Sequence, residues 1–209
     1  TPMESAWRDS RIARIYEGTN EINRLVTIGM LIKKGMKGEL DLMQKAEEVA
    51  NELTEIPSFD VPDFEDLFDE EKYVLNNLKK VFLMLSGAGL KKYGMDLENH
   101  QEVLLSISDI LIEIYMSESA ILRTEKNCKR FGTDNYHTQI AISKLYLFEA
   151  CEMIISKSRE LIFSLSEGSE QKFLLMGLKR FSKYYNYPKP IELKRTIAKI
   201  VSEENRYNL

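Results

Sequence analysis

The chain of 209 residues is 44% hydrophobic and 30% charged, enough apolar content to bury a sizeable core in one large domain or two small ones. Its formal charge of -4, with Lys and Glu interspersed, excludes the concentrated basic surface that a nucleic-acid partner requires. No run approaches the ~20 apolar residues of a membrane span.

Thr1-Pro2-Met3-Glu4 has neither the basic flank nor the apolar core of a signal peptide, and reads as a mid-protein segment rather than a natural beginning. Arg8, Asp9, Arg11 and Arg14 then crowd one short stretch, either pairing locally or packing on a partner surface. The run Ile15-Tyr16-Glu17-Gly18-Thr19-Asn20 places a carboxylate beside a glycine just ahead of a helix start. Thr19 or Asn20 is placed to cap that helix, and Ile22, Leu25, Val26, Gly29 and Ile32 follow at helical spacing. The helix is expected to end near Lys33-Lys34-Gly35, where cations suit the negative end of the dipole. The basic cluster Lys33, Lys34, Lys37 reads as a solvated helix end rather than a membrane patch.

Leu42 or Met43, Ala46, Val49, Ala50 and Leu53 mark a second helix. From Ile56 to Phe68, Pro57, Pro62 and many acids break the pattern, so this is a connection with its aromatics docked on a neighbouring surface. Beyond it, Val74, Leu78, Val81, Leu85 and Ala88 form an apolar stripe, and Gly87, Gly89 and Gly94 permit close approach and a stop. Ile107, Ile114, Ile121 and Cys128 recur every seven residues, as do Ala141, Phe148, Ile155 and Ile162. With a turn at Gly132-Thr133-Asp134 these two long helices make an antiparallel hairpin. Glu167-Gly168-Ser169 punctuates, Leu174, Leu178, Phe181 and Tyr185 follow, and Leu193, Ile197 and Ile200 form a last helix. No strand signal occurs. The expected fold is all-α, an up-down helical bundle of four or five helices from about residue 69 onward.

Little in the bundle carries chemistry. Glu113, Glu118, Glu149 and Glu152 lack the ExxH pairs of a di-iron carboxylate site and read as solvated or interhelical charge. His100 and His137 have no second ligand at helical spacing, and Cys128 and Cys151 read as buried reduced thiols, so no metal site is expected. Glu17 differs. It lies in a turn where Gly18 lets a ligand approach the backbone and the following amides point outward as donors. Burial against an apolar cleft would make it a competent base near neutrality; alternatively it is an acid satisfied by backbone amides near a helix N-terminus.

The segment Arg8-Asp9-Ser10-Arg11-Ile12-Ala13-Arg14-Ile15-Tyr16-Glu17-Gly18-Thr19-Asn20-Glu21-Ile22-Asn23-Arg24-Leu25 closely resembles the carboxyl-terminal signature of the flavin-dependent acyl-CoA dehydrogenases. There an R-D-x-R-I stretch leads into I-[YF]-E-G-T-x-x-I-x-R-L. The later helices resemble, in layout alone, the extra helical domain of long-chain members. The resemblance implies that Glu17 is the base removing the α-hydrogen of an acyl thioester while the β-hydride passes to FAD. The Glu17 amide would hold the thioester carbonyl, Gly18 would line the substrate path, and Thr19, Asn20 and Glu21 would contact FAD. Some family members place the base on another helix, but an acid at this position favours the common arrangement.

The same resemblance implies electron-transfer flavoprotein as acceptor, a homo-oligomer, possible peripheral membrane contact, and a bacterial cytoplasmic or mitochondrial-matrix location. It divides the chain into residues 1–38, the end of a catalytic helical domain; residues 39–68, a helix and acidic connection; and residues 69–209, an accessory bundle. The family's amino-terminal helical domain and β-domain have no counterpart in this sequence. The chain therefore reads as a carboxyl-terminal piece that is inactive alone, with residues 1 to about 35 poorly docked or partner-bound. The competing reading is a non-enzymatic interaction or oligomerisation module that keeps the motif as a helix start.

Overall fold

The computed structural model describes residues 2–55 and 62–204. Every regular element among them is helical: α1 (Pro2–Ile12), α2 (Asn20–Met36), α3 (Leu42–Thr54), α4 (Asp69–Tyr93), α5 (Gln101–Phe131), α6 (His137–Leu165), α7 (Gly168–Phe181) and α8 (Pro190–Glu204). Short 3-10 turns at Gly94–Asn99 and Thr133–Asn135 join α4 to α5 and α5 to α6. The expected all-α bundle is what forms.

The α5–α6 hairpin is its spine. On α5, Ile107, Ile114, Ile121 and Cys128 are all buried, as their seven-residue recurrence predicts. Leu122, expected beside that stripe, is exposed instead, because it lies round the helix from the seam. On α6 a line through Leu147, Ile154 and Leu161 is buried, one residue before the expected Phe148 and Ile155, which are only partly buried, while the expected Ala141 and Ile162 at the two ends are buried. The apolar face of α6 is wide enough that sequence spacing fits either line. Packing against α4 as well as α5 selects the first. Small side chains let the two axes approach: Ser117 and Ser143 are buried in the hairpin, and the hydroxyls of Thr124 and Ser143 hydrogen-bond at 2.9 Å. Each fully buried Leu or Ile contributes about 1.5–3 kcal/mol of transfer free energy, so these stripes dominate the stability of the bundle.

Helix α4 completes a three-helix core by laying Val74, Leu78, Val81 and Leu85 into the groove of the hairpin. Around it, α7 packs on α4 and α6, α8 on α6, α3 on α4, and α2 on α5. Close approach explains Gly177 in α7: a Cβ there would stand 2.7 Å from Met84 Sδ and 2.9 Å from Leu53 Cδ2. Arg180 fixes the same junction by donating to the Glu52 carbonyl at 2.7 Å, a second donor to a C-terminal carbonyl of α3 that also accepts from the Glu55 amide at 3.2 Å.

The connection ahead of α4 is docked where it is described; residues 56–61, including Pro57 and Phe59, lie outside the described residues. Phe64 joins Tyr73 and Tyr185 in a triangle of rings with centroids 5.8 to 6.0 Å apart. Phe68 is buried although its φ of 72° is left-handed, a backbone cost offset by burying the ring. Glu70 then accepts from the backbone N–H groups of Tyr185 and Asn186 at 2.7 and 2.6 Å, tying the turn after α7 to the start of α4. Tyr184, not the expected Tyr185, is the buried tyrosine of this turn.

Two predictions follow from this packing. Ile154→Ala should destabilise the chain by about 2–5 kcal/mol, as for a fully buried Ile, and Ile155→Ala by clearly less, read as the shift in urea midpoint. The second concerns alkaline pH. Burial pushes the Cys151 thiol up from 9.0 to about 12. Burial, assisted by donation to Glu113 at 2.9 Å, pushes the Tyr146 phenol up from 10.0 to about 12. Above pH ~9 the unfolded chain releases these protons while the fold retains them, so stability falls as pH rises from about 9 towards about 12. The urea midpoint at about pH 10.5 should lie below that at about pH 7.5, and Cys151→Ala should shrink the difference.

Candidate functional site

The signature residues fold into α1, a tight turn over residues 13–19, and the start of α2. The chain reverses by stacking short-range bonds: the amides of Ile15 and Tyr16 donate to the Ile12 carbonyl at 2.9 and 3.2 Å, and the Asn20 amide donates to the Arg14 carbonyl at 3.2 Å. Glu17 sits at the apex with a left-handed φ of 56°, followed by Gly18 at 92°. Such a backbone is costly for a glutamate, and the cost falls on the one carboxylate in the turn.

Thr19 is the N-cap of α2, its Oγ1 accepting from the Ile22 amide at 3.3 Å. Of the two capping candidates, Thr19 is therefore the one used. Asn23 Nδ2 donates to the Gly18 carbonyl at 2.8 Å, and its Oδ1 stands 2.7 Å from where a Gly18 Cβ would be. Gly18 is thus required for both its torsion and its space. With these bonds assigned, the amides of Glu17, Gly18, Thr19 and Glu21 have no acceptor among the described residues. They form a set of outward donors at the positive end of α2.

The turn faces solvent, not an apolar cleft: Glu17, Asn20 and Glu21 are exposed, and Gly18 and Thr19 half-buried. Sequence reasoning missed the apolar surface around it. Trp7, Ile12, Ile15, Tyr16, Ile22 and Val26 are all about half or more exposed, and no residue of α1 is buried. Ile22 and Val26, placed by spacing on the inward face of α2, belong to this outward surface; Leu25, Ile28, Leu31 and Ile32 face the bundle instead. The expectation of poor docking for residues 1 to 35 fits α1 and the turn. It does not fit α2, whose Ile28 is in the core; that helix ends at Met36, beside the expected stop near Lys33-Lys34-Gly35.

Elsewhere the concave sites are apolar. A cavity of about 350 Å³ lies between α2, α3 and α4, and another of about 640 Å³ between α3, α4 and α7. Neither is lined by a residue of the signature, and their ionisable side chains, Lys91 and Glu170, pair with each other at 2.6 Å. No cluster of metal-ligating side chains occurs among the described residues. Glu118 and Glu149 hold Lys79 and Lys194 on neighbouring helices, each at 2.6 Å, as interhelical charge.

The fold and the turn together define a helical bundle with a glutamate-glycine signature turn on its flank. Residues 77–180 match the family model described as acyl-CoA dehydrogenase, C-terminal domain. The chain is 34% identical over 212 residues to the probable acyl-CoA dehydrogenase of Bacillus subtilis (strain 168), covering 99% of this chain and 34% of that protein. The crystal structure of acyl-CoA dehydrogenase complexed with FAD from Bacillus anthracis superposes with a TM-score of 0.90 at 36% identity, over 100% of this chain and 34% of that one. The chain belongs to the acyl-CoA dehydrogenase family. It spans about a third of the length of these two relatives.

Removing the cap tests the local account of the turn. Thr19→Ala should accelerate amide exchange at Ile22 by roughly 2–30-fold, the kinetic equivalent of a lost N-cap, while exchange at Ile110 in the core stays unchanged.

Proposed function

We propose that this chain contributes the catalytic base and part of the flavin-binding edge to a full-length acyl-CoA dehydrogenase. That enzyme would oxidise a fatty acyl-CoA to the trans-2-enoyl-CoA. The observation that carries the proposal is the signature turn, which holds Glu17 at its apex beside unpartnered amides at the N-terminus of a helix.

FAD suits these residues on their donor chemistry. Free N–H groups at the positive end of a helix take the oxygens of a phosphate or ribityl chain; Thr19 and Glu21 supply such amides here, and Asn20, whose amide is held by the Arg14 carbonyl, would contribute through its side chain. When bound, the flavin would accept the β-hydride. Glu17 would remove the α-proton of the thioester with its carboxylate, and its own amide would donate to the thioester carbonyl as negative charge develops there. Gly18, without a Cβ, would let the substrate pass close to the backbone.

Both roles require that water be excluded from Glu17, and the exposed apolar surface of Trp7, Ile12, Ile15, Tyr16, Ile22 and Val26 is suited to burial against the remainder of such an enzyme. In that reading, residues 1–38 end the catalytic domain, residues 39–68 connect, and residues 69–209 are an accessory bundle. Electron-transfer flavoprotein would reoxidise the flavin. The enzyme would be a homo-oligomer with possible peripheral membrane contact, in a bacterial cytoplasm or a mitochondrial matrix. The 209 residues alone would be inactive.

The full-length protein should show a flavin absorbance spectrum that bleaches on anaerobic addition of acyl-CoA. Glu17→Gln should slow that bleaching by about 10²–10⁴-fold, the contribution of a positioned base, with FAD still bound. Retained bleaching would move the base to another residue.

A further inference from the structure

One signature residue has a role that the chemistry at Glu17 does not absorb. Arg24, one turn into α2, donates from Nη1 to Asp109 Oδ1 of α5 at 2.8 Å, across 85 residues of sequence. Lys157 of α6 reaches the other oxygen, Asp109 Oδ2, at 2.9 Å. One carboxylate thus holds a cation from α2 and a cation from the hairpin.

The setting separates this triad from the rim pairs. The Asp109 side chain is 20% exposed and those of Arg24 and Lys157 are 30% and 32%, whereas Lys33 and Glu98, the other ion pair between α2 and the bundle, are both about two-thirds exposed and 3.7 Å apart. Short, partly desolvated, directional bonds fix the rotation and slide of a helix in a way that rim charges and greasy contacts do not. The apolar contacts of α2, through Leu25, Ile28, Leu31 and Ile32, press the helix onto the bundle, and the triad adds a directional bond to them.

The turn carrying Glu17 needs such a register from elsewhere. Its hydrogen bonds run to α1, to itself and to α2, and residues 11–17 are all exposed. Within the described residues, the placement of Glu17 relative to the bundle passes through α2, where Arg24 makes the directional bond to α5.

We infer that Arg24, Asp109 and Lys157 form a clamp by which the helical bundle positions the Glu17 turn, with Asp109 as a positioning residue for proton abstraction. This rests on the reading of Glu17 as the base. A displacement of about 1 Å between reacting groups costs on the order of 10²-fold in rate, so loosening the clamp should appear in kcat before it appears in binding.

The test uses the full-length enzyme with Asp109→Asn, Arg24→Gln and the double variant. The clamp predicts about a tenfold loss of kcat in each, with KM and FAD content within about twofold of the parent. The double variant should be no worse than either single one, because the two side chains act as a unit. Amide exchange over residues 20–28 should quicken in all three while exchange at Ile110 and Ile121 does not.

Unchanged kcat with unchanged exchange would overturn the clamp, and so would losses that multiply in the double variant. Lost FAD and a fall in melting temperature matching the fall in kcat would reduce Asp109 to a structural role, which also overturns it. Should Asp109→Asn fail to fold, Lys157→Gln loosens the same carboxylate from the bundle side and is held to the same outcomes. The exchange measurement does not depend on Glu17. If Glu17→Gln keeps turnover while exchange responds to Asp109, the base assignment fails and the anchoring of α2 stands. If Glu17→Gln abolishes turnover and Asp109→Asn changes nothing, the reverse holds.

Discussion

The structure depends on the seam between α5 and α6. Two helices of 31 and 29 residues bury continuous apolar lines against each other, and small hydroxyl-bearing residues keep their axes close. The hairpin turn at Gly132, with its left-handed φ of 88°, fixes which faces meet. Once that seam exists it offers one groove, and α4 fills it. The remaining helices cover what is left of the apolar surface, α7 and α8 on α6, α3 on α4, and α2 on α5. No other pair of elements among the described residues is long enough to set the register of the rest.

Charge then works at the margins of that core. Lys72–Glu125, Lys79–Glu118 and Lys80–Glu52 tie α4 to α5 and α3 at 2.6 to 2.8 Å, and Lys144 reaches the nearly buried Glu71 at 2.8 Å. Half-exposed pairs of this kind add on the order of 1 kcal/mol each, so they align the helices more than they stabilise the fold. Glu71 is the exception, because removing Lys144 would leave a buried charge without a partner. Hydrogen bonds from Lys129 and then Lys72 hold the Glu125 carboxyl below the usual carboxylate range. The Lys and Glu interspersed along the sequence are, in three dimensions, the pairs that link neighbouring helices.

Helix α2 joins the bundle to the signature turn. Its inner face is bundle core and its outer face continues the exposed apolar surface of α1 and the signature turn. A helix with apolar residues most of the way round belongs between two bodies. Spacing therefore misassigned Ile22 and Val26: with both faces apolar, periodicity cannot say which one meets the bundle. The same ambiguity moved the buried positions in the middle of α6 from Phe148 and Ile155 to Leu147 and Ile154.

The sequence by itself determined the helical class, because stripes at helical spacing and the absence of strand alternation are local properties of the chain. It also determined the signature turn, because a left-handed glycine and a capping threonine act within a few residues of each other. Tertiary structure alone decided which apolar face turns inward, since that choice depends on the shape of the groove supplied by other helices. It alone brought Arg24, Asp109 and Lys157 together, from positions with no sequence relation, because α2 crosses α5 where α6 already lies alongside. The identity of Glu17 as a turn residue was legible in ten letters; its placement on the flank of the bundle required every helix that follows it.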